Sequence, residues 1–151
     1  ITLTAVATSD RQIVTTPNAD GSPGRPSPNF SSAVRAGSCL FLSGMLGNTD
    51  SNAGDLGSQT REALARIGRT LHAAGLDWNH VVDSTVYLTD ATRVSEMNDA
   101  YRQVLVKGFP ARATIEAGLV SPGALVEIMT TAFKASQNSQ RMPAIGSRPH
   151  W

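Results

Sequence analysis

A helix-type repeat of apolar residues between positions 55 and 75 most constrains how this chain can fold. The repeat consists of Leu64, Ile67 and Leu71, at intervals of three and four residues. Because that spacing places side chains on one face of an α-helix, it predicts an amphipathic helix that must pack against another apolar surface. Asp55 or Ser58 is available as the N-cap, and Gly75 is positioned to end the helix.

Strand-type segments surround this helix and can provide that surface. They are residues 12–16, 33–37, 39–46, 81–88, 112–117 and 124–135. A second helix is predicted after Asp90 or Thr92, before Pro110. Its apolar face consists of Val94, Met97, Tyr101 and Leu105. This order predicts an α+β fold in which a mixed sheet carries both helices on one face.

The other face of the predicted sheet is apolar as well. Val81 and Val82 are neighbours on one strand, and Ile115 and Ile128 belong to two others, so apolar side chains point to both sides. Because large apolar patches are rarely left in water, we expect a second copy of the chain to cover this face. The sequence therefore predicts a homo-oligomer.

The chain length of 151 residues suits one domain. We predict a single domain over 1–135, in which 1–10 is an extra N-terminal segment. Residues 136–151 contain Pro143, Gly146 and Pro149 without any periodic pattern, which predicts an extended C-terminal tail.

Composition excludes several partner classes. Thirteen basic and twelve acidic residues give a net charge of +1, which predicts neither nucleic-acid nor membrane-surface binding. The single Cys39 cannot form an internal disulfide, and its apolar neighbours favour a reduced thiol and a cytoplasmic protein. His72, His80 and His150 show no metal-ligand spacing, so we expect no metal site.

Arg112 and Glu127 stand inside otherwise apolar strand segments. Charged side chains in such positions need partners, and the planar guanidinium of arginine matches a carboxylate. Alternation along the strand places Arg112 and Thr114 on the same face. Two readings follow from the residues alone: a structural ion pair at a subunit interface, or a site that binds a small acid.

Four segments carry a family resemblance. They are residues 29–37 (NFSSAVRAG), 41–44 (FLSG), 109–114 (FPARAT) and 125–128 (LVEI). In this order the chain resembles the Rid (YjgF/RidA) family of reactive-intermediate deaminases over about residues 11–135. The resemblance implies a chorismate-mutase-like α+β fold, a barrel-shaped homotrimer, and three ligand clefts between adjacent subunits. It also implies hydrolysis of enamines and imines, such as 2-aminoacrylate, to a keto acid and ammonia without a cofactor.

The resemblance also assigns roles to individual residues. Arg112 is expected to bind the substrate carboxylate, and Glu127 to hold the attacking water. The substrate-binding positions that it implies are Phe30, Ser43, Gly44, Met45, Asn98 and Thr114. Phe30 replaces the family's usual Tyr and Met45 a common Gln, and both changes remove a polar group. A bulkier or more apolar substrate would suit that loss.

Three functions stay open at this point. The chain could be a general imine and enamine deaminase of the 2-iminobutanoate/2-iminopropanoate type. It could instead act in one pathway on a larger acid, which the inserted residues 21–26 and both terminal extensions favour. It could also be a non-catalytic trimer that binds a metabolite through Arg112. Links of some family relatives to RNA cleavage find no support in the nearly neutral charge.

Overall fold

The computed structural model describes residues 11–134, which form a six-stranded sheet in the order β1-β2-β3-β6-β4-β5. The elements are β1 (Arg11–Val14), β2 (Ala33–Ala36), β3 (Cys39–Leu46), α1 (Leu56–Ala73), β4 (Val81–Leu88), α2 (Val94–Val104), β5 (Ala111–Glu116) and β6 (Val126–Phe133). β4 and β5 pair in parallel, while the pairs along the rest of the sheet are antiparallel. The predicted α+β fold is confirmed. The predicted segments 1–10 and 136–151 lie outside the described residues.

The core lies between one face of the sheet and the two helices. Leu64, Ile67 and Leu71 are fully buried there, as the helical repeat predicts. The Asp55 carboxylate accepts the backbone N–H of Ser58 at 2.8 Å, so Asp55 rather than Ser58 is the N-cap of α1.

The second helix begins differently from the prediction. A short 3₁₀ turn, Ala91–Arg93, precedes α2, and Asp90 caps that turn by accepting the N–H of Thr92 at 2.9 Å. Position Arg93, directly before α2, provides no capping hydrogen bond from its side chain. Neither Asp90 nor Thr92 therefore caps α2 itself, because the extra turn separates them from its first residue.

The side chain of Gln59 joins α1 to the start of β6. This fully buried amide donates to the carbonyl of Gly123 at 3.0 Å and accepts the N–H of Leu125 at 2.8 Å. Leaving a buried backbone group unpaired is costly, so these bonds hold the chain just before β6 in one place. Glu127 is only two residues further along the chain.

The sheet face opposite the helices carries exposed apolar side chains. They include Ile13, Ile115, Met129 and Phe133. The strand register places these side chains on one side of the sheet. Residues paired across neighbouring strands point to the same face, and so do residues two apart along one strand. We call this surface the outer face. Its burial by a second copy remains a prediction.

Candidate functional site

Arg112 lies on β5 and points to the helix side of the sheet. Its guanidinium carbon is 4.8 Å from the ring centroid of Tyr101 on α2, which is a cation–π contact. Its Nη2 donates a hydrogen bond to Oδ1 of Asn98 at 2.7 Å. Asn98 and Tyr101 are three residues apart on α2, so they lie on one face of the helix. The guanidinium lies over the Tyr101 ring, and Asn98 binds one of its N–H groups.

The Tyr101 ring is itself fixed from behind. Tyr101 is buried, and its hydroxyl shares a 3.1 Å hydrogen bond with the hydroxyl of Ser84 on β4. Ser84 is directly beside Arg112 in the register of β4 and β5. Sheet and helix therefore determine together where the guanidinium can lie.

A cavity of about 400 Å³ opens in front of this arginine. It is lined by Asn98, Tyr101, Arg102, Phe109, Pro110 and Arg112. Within residues 11–134, no carboxylate lies at salt-bridge distance from Arg112. The guanidinium thus keeps N–H donors for a ligand, and the ion pair with Glu127 that the sequence left open is not formed within one chain. We call Arg112, Asn98 and Tyr101 the arginine half-site.

Glu127 projects from β6 on the outer face and is half-buried. It lies against Gly44 of β3, where a Cβ atom would be only 1.7 Å from the carboxylate Oε1. Gly44 belongs to a β-bulge, because β3 advances three residues from Leu42 to Met45 while β6 advances two. The missing side chain at position 44 is what leaves room for the carboxylate.

Ser43 is hydrogen-bonded to the segment that directly follows Phe30. The Ser43 hydroxyl donates to the carbonyl of Ser31 at 2.7 Å, and its backbone N–H donates to the carbonyl of Ser32 at 2.9 Å. Phe30, just before these residues, is 60% exposed. We call Glu127, Gly44 and Ser43 the glutamate half-site.

The remaining two predicted positions, Thr114 and Met45, lie in different surroundings: Thr114 is at the surface and Met45 is in the core. Thr114 is exposed on the helix side of β5, the side of Arg112, as strand alternation predicts. Met45 is only 7% exposed and packs in the core. The bulge at Ser43 and Gly44 reverses the alternation of β3, so Met45 turns toward the helices and joins neither half-site.

The two half-sites do not meet within one chain. Arg112 is directly beside Ser84 and Glu127 directly beside Tyr87 on β4. Ser84 and Tyr87 are an odd number of residues apart, so they point to opposite faces of the sheet. β4 also separates the two strands, which adds about 10 Å between their backbones. A site that uses both side chains needs a second copy of the chain.

Sequence reasoning gave no functional role to Tyr101, Arg102 or Phe109. The helical pattern assigns Tyr101 only to the apolar face of a helix, although its spacing of three residues from Asn98 is a usable signal that both side chains share a face. Arg102, four residues after Asn98, carries the same signal. Phe109 precedes Arg112 on the irregular segment that leads into β5.

Residues 11–134 contain neither a metal-type cluster nor a membrane-spanning helix. In this range, no three His, Cys, Asp or Glu side chains come together as a metal site would require. None of the helices described here combines the length and the apolar character that crossing a bilayer requires.

Comparison with known proteins assigns the family. The family model described as Endoribonuclease L-PSP matches residues 23–134. The chain is 34% identical over 128 residues to the 2-iminobutanoate/2-iminopropanoate deaminase of Bos taurus, covering 82% of this chain and 90% of the relative. The chain belongs to the YjgF/Rid family. Among other family members, a RutC family protein of Pyrococcus horikoshii is 32% identical, covering 82% of this chain and 98% of that protein.

Solved structures of the YjgF/Rid family share the fold. A YjgF family protein from Neisseria meningitidis is 39% identical with a TM-score of 0.66, covering 73% of this chain and 91% of that one. A YjgF/YER057c/UK114 family member from Mycobacterium tuberculosis is 33% identical with a TM-score of 0.69, covering 82% and 99%. The family resemblance of the sequence is thereby confirmed.

Proposed function

We propose that this protein hydrolyses the enamine and imine forms of small 2-amino-acid-derived carboxylates to a keto acid and ammonia. The observation that carries the proposal is Arg112, a cation with open donors at a cavity of about 400 Å³. The relatives named 2-iminobutanoate/2-iminopropanoate deaminase support the same chemistry.

The complete site is proposed to form between two copies. One copy supplies the arginine half-site and its neighbour supplies the glutamate half-site, because one chain holds them on opposite faces. The exposed apolar side chains of the outer face favour such an assembly. A closed homotrimer, which the family resemblance implies, would repeat this heterologous contact three times.

Arg112 binds the substrate carboxylate through charge-assisted hydrogen bonds and so fixes the position of the imine carbon. The neighbour's Glu127 orients a water molecule and takes one of its protons as the water oxygen bonds to that carbon. The C=N electron pair moves to nitrogen, which takes up the proton that Glu127 received from the water. Glu127 then passes the hydroxyl proton of the resulting carbinolamine to the amino nitrogen, the C=O bond forms, and the C–N bond breaks to release ammonia. These steps use only side chains and water.

The test is a rate measurement with substrate made in the cuvette. A separate dehydratase produces 2-aminoacrylate from serine, and keto acid release is followed with wild type, Arg112→Ala, Arg112→Lys and Glu127→Gln. We expect Glu127→Gln to lower kcat by roughly 10²- to 10⁴-fold. Arg112→Ala should mainly raise KM, and Arg112→Lys should restore part of the loss.

Matched controls are Glu116→Gln and Arg61→Ala, two charged residues outside both half-sites. Both should keep wild-type rates. If wild type does not exceed the uncatalysed rate yet binds keto acids through Arg112, the protein is a metabolite-binding module and the deaminase proposal is wrong.

A second candidate, a deaminase for a larger diacid, is favoured by Arg102. This second guanidinium lines the same cavity as Arg112. It forms a salt bridge with Asp99 on the same helix, and both side chains of that pair are exposed to solvent. Two cations at one cavity suit a substrate with two carboxylates. Arg102→Ala should then reduce kcat/KM for an imino dicarboxylate such as iminosuccinate and leave 2-iminopropanoate unchanged. Equal losses for both substrates would contradict this candidate.

A reduced, cytoplasmic setting remains a prediction from the lone Cys39, which is a free thiol in the structure. Measurement of its thiol content after purification without reductant would test the reduced state directly.

A further inference from the structure

A second cluster of arginines lies where the segment after β1 packs on α1, and none of its arginines belongs to either half-site. It borders a cavity of about 400 Å³ whose lining includes Arg25, Arg66, Arg69 and Glu62. Three guanidinium groups face one carboxylate here, so two positive charges lack a negative partner among the lining residues. Bringing like charges together is unfavourable unless an anion offsets them.

Arg66 and Arg69 are held in fixed positions. Arg66 donates from Nε to Glu62 Oε1 at 2.8 Å and from Nη1 to the carbonyl of Leu46 at 2.9 Å. Arg69 donates from Nε to the carbonyl of Pro17 at 3.1 Å and from Nη2 to Glu62 at 3.3 Å. Their side chains are only 30% and 24% exposed. Such anchoring reduces the entropy that a ligand would otherwise lose on ordering them.

Each anchored guanidinium keeps one terminal nitrogen for a ligand. Nη2 of Arg66 and Nη1 of Arg69 have no hydrogen-bond partner within residues 11–134. The guanidinium of Arg25 likewise makes no ion pair in this part of the chain. The cavity therefore offers N–H donors on three side chains.

The segment that carries Arg25 is docked against α1. The hydroxyls of Thr16 and Thr70 share a 2.7 Å hydrogen bond, which ties this segment to the helix. Gly24 approaches so closely that a Cβ there would be 1.8 Å from the carbonyl oxygen of Thr16. Arg25 follows directly and lies within the inserted residues 21–26, which the proposed deaminase chemistry does not use.

We propose that this cavity, which we call the arginine pocket, binds a phosphate group. A phosphate near neutral pH carries a charge of about −1.5 to −2 and has several acceptor oxygens. That charge matches the two uncompensated cations, and guanidinium donors suit phosphate geometry. The ligand is either inorganic phosphate or the phosphate of a small monoester. Phosphate binding at this pocket is not a step of the proposed deaminase reaction.

The experiment is a calorimetric titration of the full chain with inorganic phosphate, with glycerol 3-phosphate and with acetate at equal ionic strength. Both phosphates should bind if the shared group is recognised, whereas preference for one of them identifies the source. Acetate, with a single charge, should bind at least about tenfold more weakly.

Arg25→Ala is the decisive variant, because Arg25 makes no ion pair within the described residues and its loss should leave the fold intact. It should weaken phosphate binding by about tenfold or more. Arg61→Ala, on the same helix as Arg66 but outside the pocket, should bind like wild type. Circular dichroism of each variant shows that the fold is retained.

Two results would overturn the proposal. One is wild type that does not bind either phosphate at millimolar concentration. The other is an Arg25→Ala variant that binds as tightly as Arg61→Ala, which would place the anion elsewhere. Because the readout is phosphate binding at a pocket that neither Arg112 nor Glu127 lines, failure here would leave the deaminase assignment untouched, and an inactive deaminase would not affect this titration.

Discussion

Arg112 and Glu127 project from opposite faces of one sheet, on strands that flank β4 on either side. Arg112 stacks on Tyr101 of α2, while Glu127 lies over Gly44 on the face that has no helix. A small substrate cannot contact both side chains of one chain, because the sheet stands between them. If both act on one substrate, they belong to different copies.

Complementation between variants tests this arrangement. At a substrate concentration below the wild-type KM, homogeneous Arg112→Ala and Glu127→Gln proteins should each be nearly inactive. When they are unfolded together and refolded, a cleft with intact Arg112 from one variant and intact Glu127 from the other can form. Random assembly should restore about a quarter of the clefts. The rate of keto acid release, relative to wild type refolded in the same way, measures that fraction.

The control for complementation mixes Arg112→Ala with a double variant that carries both substitutions. No cleft in that mixture contains the arginine, so activity should not exceed that of Arg112→Ala alone. Failure of the first mixture to regain activity, with mixed oligomers demonstrated by mass, would show that the two residues do not share a cleft.

Gly44→Ala should displace the Glu127 carboxylate from its position while leaving residue 127 a glutamate. A Cβ at position 44 would be 1.7 Å from Oε1 and 2.6 Å from Cδ of Glu127, so the carboxylate must swing away. We expect kcat to fall nearly as far as in Glu127→Gln, with little change in KM. Because the flexible end of a side chain can move, the melting temperature should change only slightly.

Gly47→Ala is the matched comparison for that substitution. A Cβ at position 47 would be 1.7 Å from the backbone carbonyl oxygen of Gln59 on α1, which cannot move independently of the helix. It should therefore reduce the free energy of unfolding by about 1–3 kcal/mol. If Gly44→Ala instead kept a normal kcat, the placement of the Glu127 carboxylate over Gly44 would not matter for catalysis.

Two substitutions at Tyr101 distinguish the contact of its ring with Arg112 from the hydrogen bond of its hydroxyl with Ser84. Tyr101→Leu removes the ring beneath Arg112, a contact worth about 0.5–1 kcal/mol at an exposed site, so keto acid binding should weaken roughly two- to fivefold. Tyr101→Phe keeps the ring but breaks the buried bond to Ser84, which should cost about 1 kcal/mol of stability and little affinity.

Calorimetric titration with a keto acid and urea unfolding of the same samples give the two quantities. Equal weakening of binding by Tyr101→Phe and Tyr101→Leu would show that the hydroxyl network, rather than the ring face, determines how Arg112 binds the acid.

Stability at low pH should report on the N-cap of α1. Hydrogen bonds from the backbone and the side chain of Ser58 hold the pKa of Asp55 below its ordinary value of 3.8. A folded-state pKa below the unfolded one means that the unfolded chain binds the proton more readily. The contribution is therefore present above the unfolded pKa and is lost as pH falls through the folded pKa.

Asp55→Asn lacks this titration while keeping an acceptor for the helix N-terminus. Urea unfolding of wild type and variant at neutral pH and at about pH 3 should show a smaller pH-dependent loss in the variant. An identical loss in both proteins would mean that Asp55 does not carry the effect.

The sequence by itself determined the features that depend on local periodicity. The three-and-four spacing of Leu64, Ile67 and Leu71 predicted α1, and the structure has it at Leu56–Ala73. Alternation along one strand placed Arg112 and Thr114 on a common side, as observed. Such patterns can be read from the chain because helix and strand geometry repeat over a few residues.

Only the tertiary structure decided which residues meet. The bulge at Ser43 and Gly44 reverses the alternation of β3, which places Met45 in the core and opens a space for Glu127. The insertion of β6 between β3 and β4 sets Arg112 and Glu127 on strands either side of β4. Strand order and register depend on contacts between residues distant in sequence, so no local pattern specifies them.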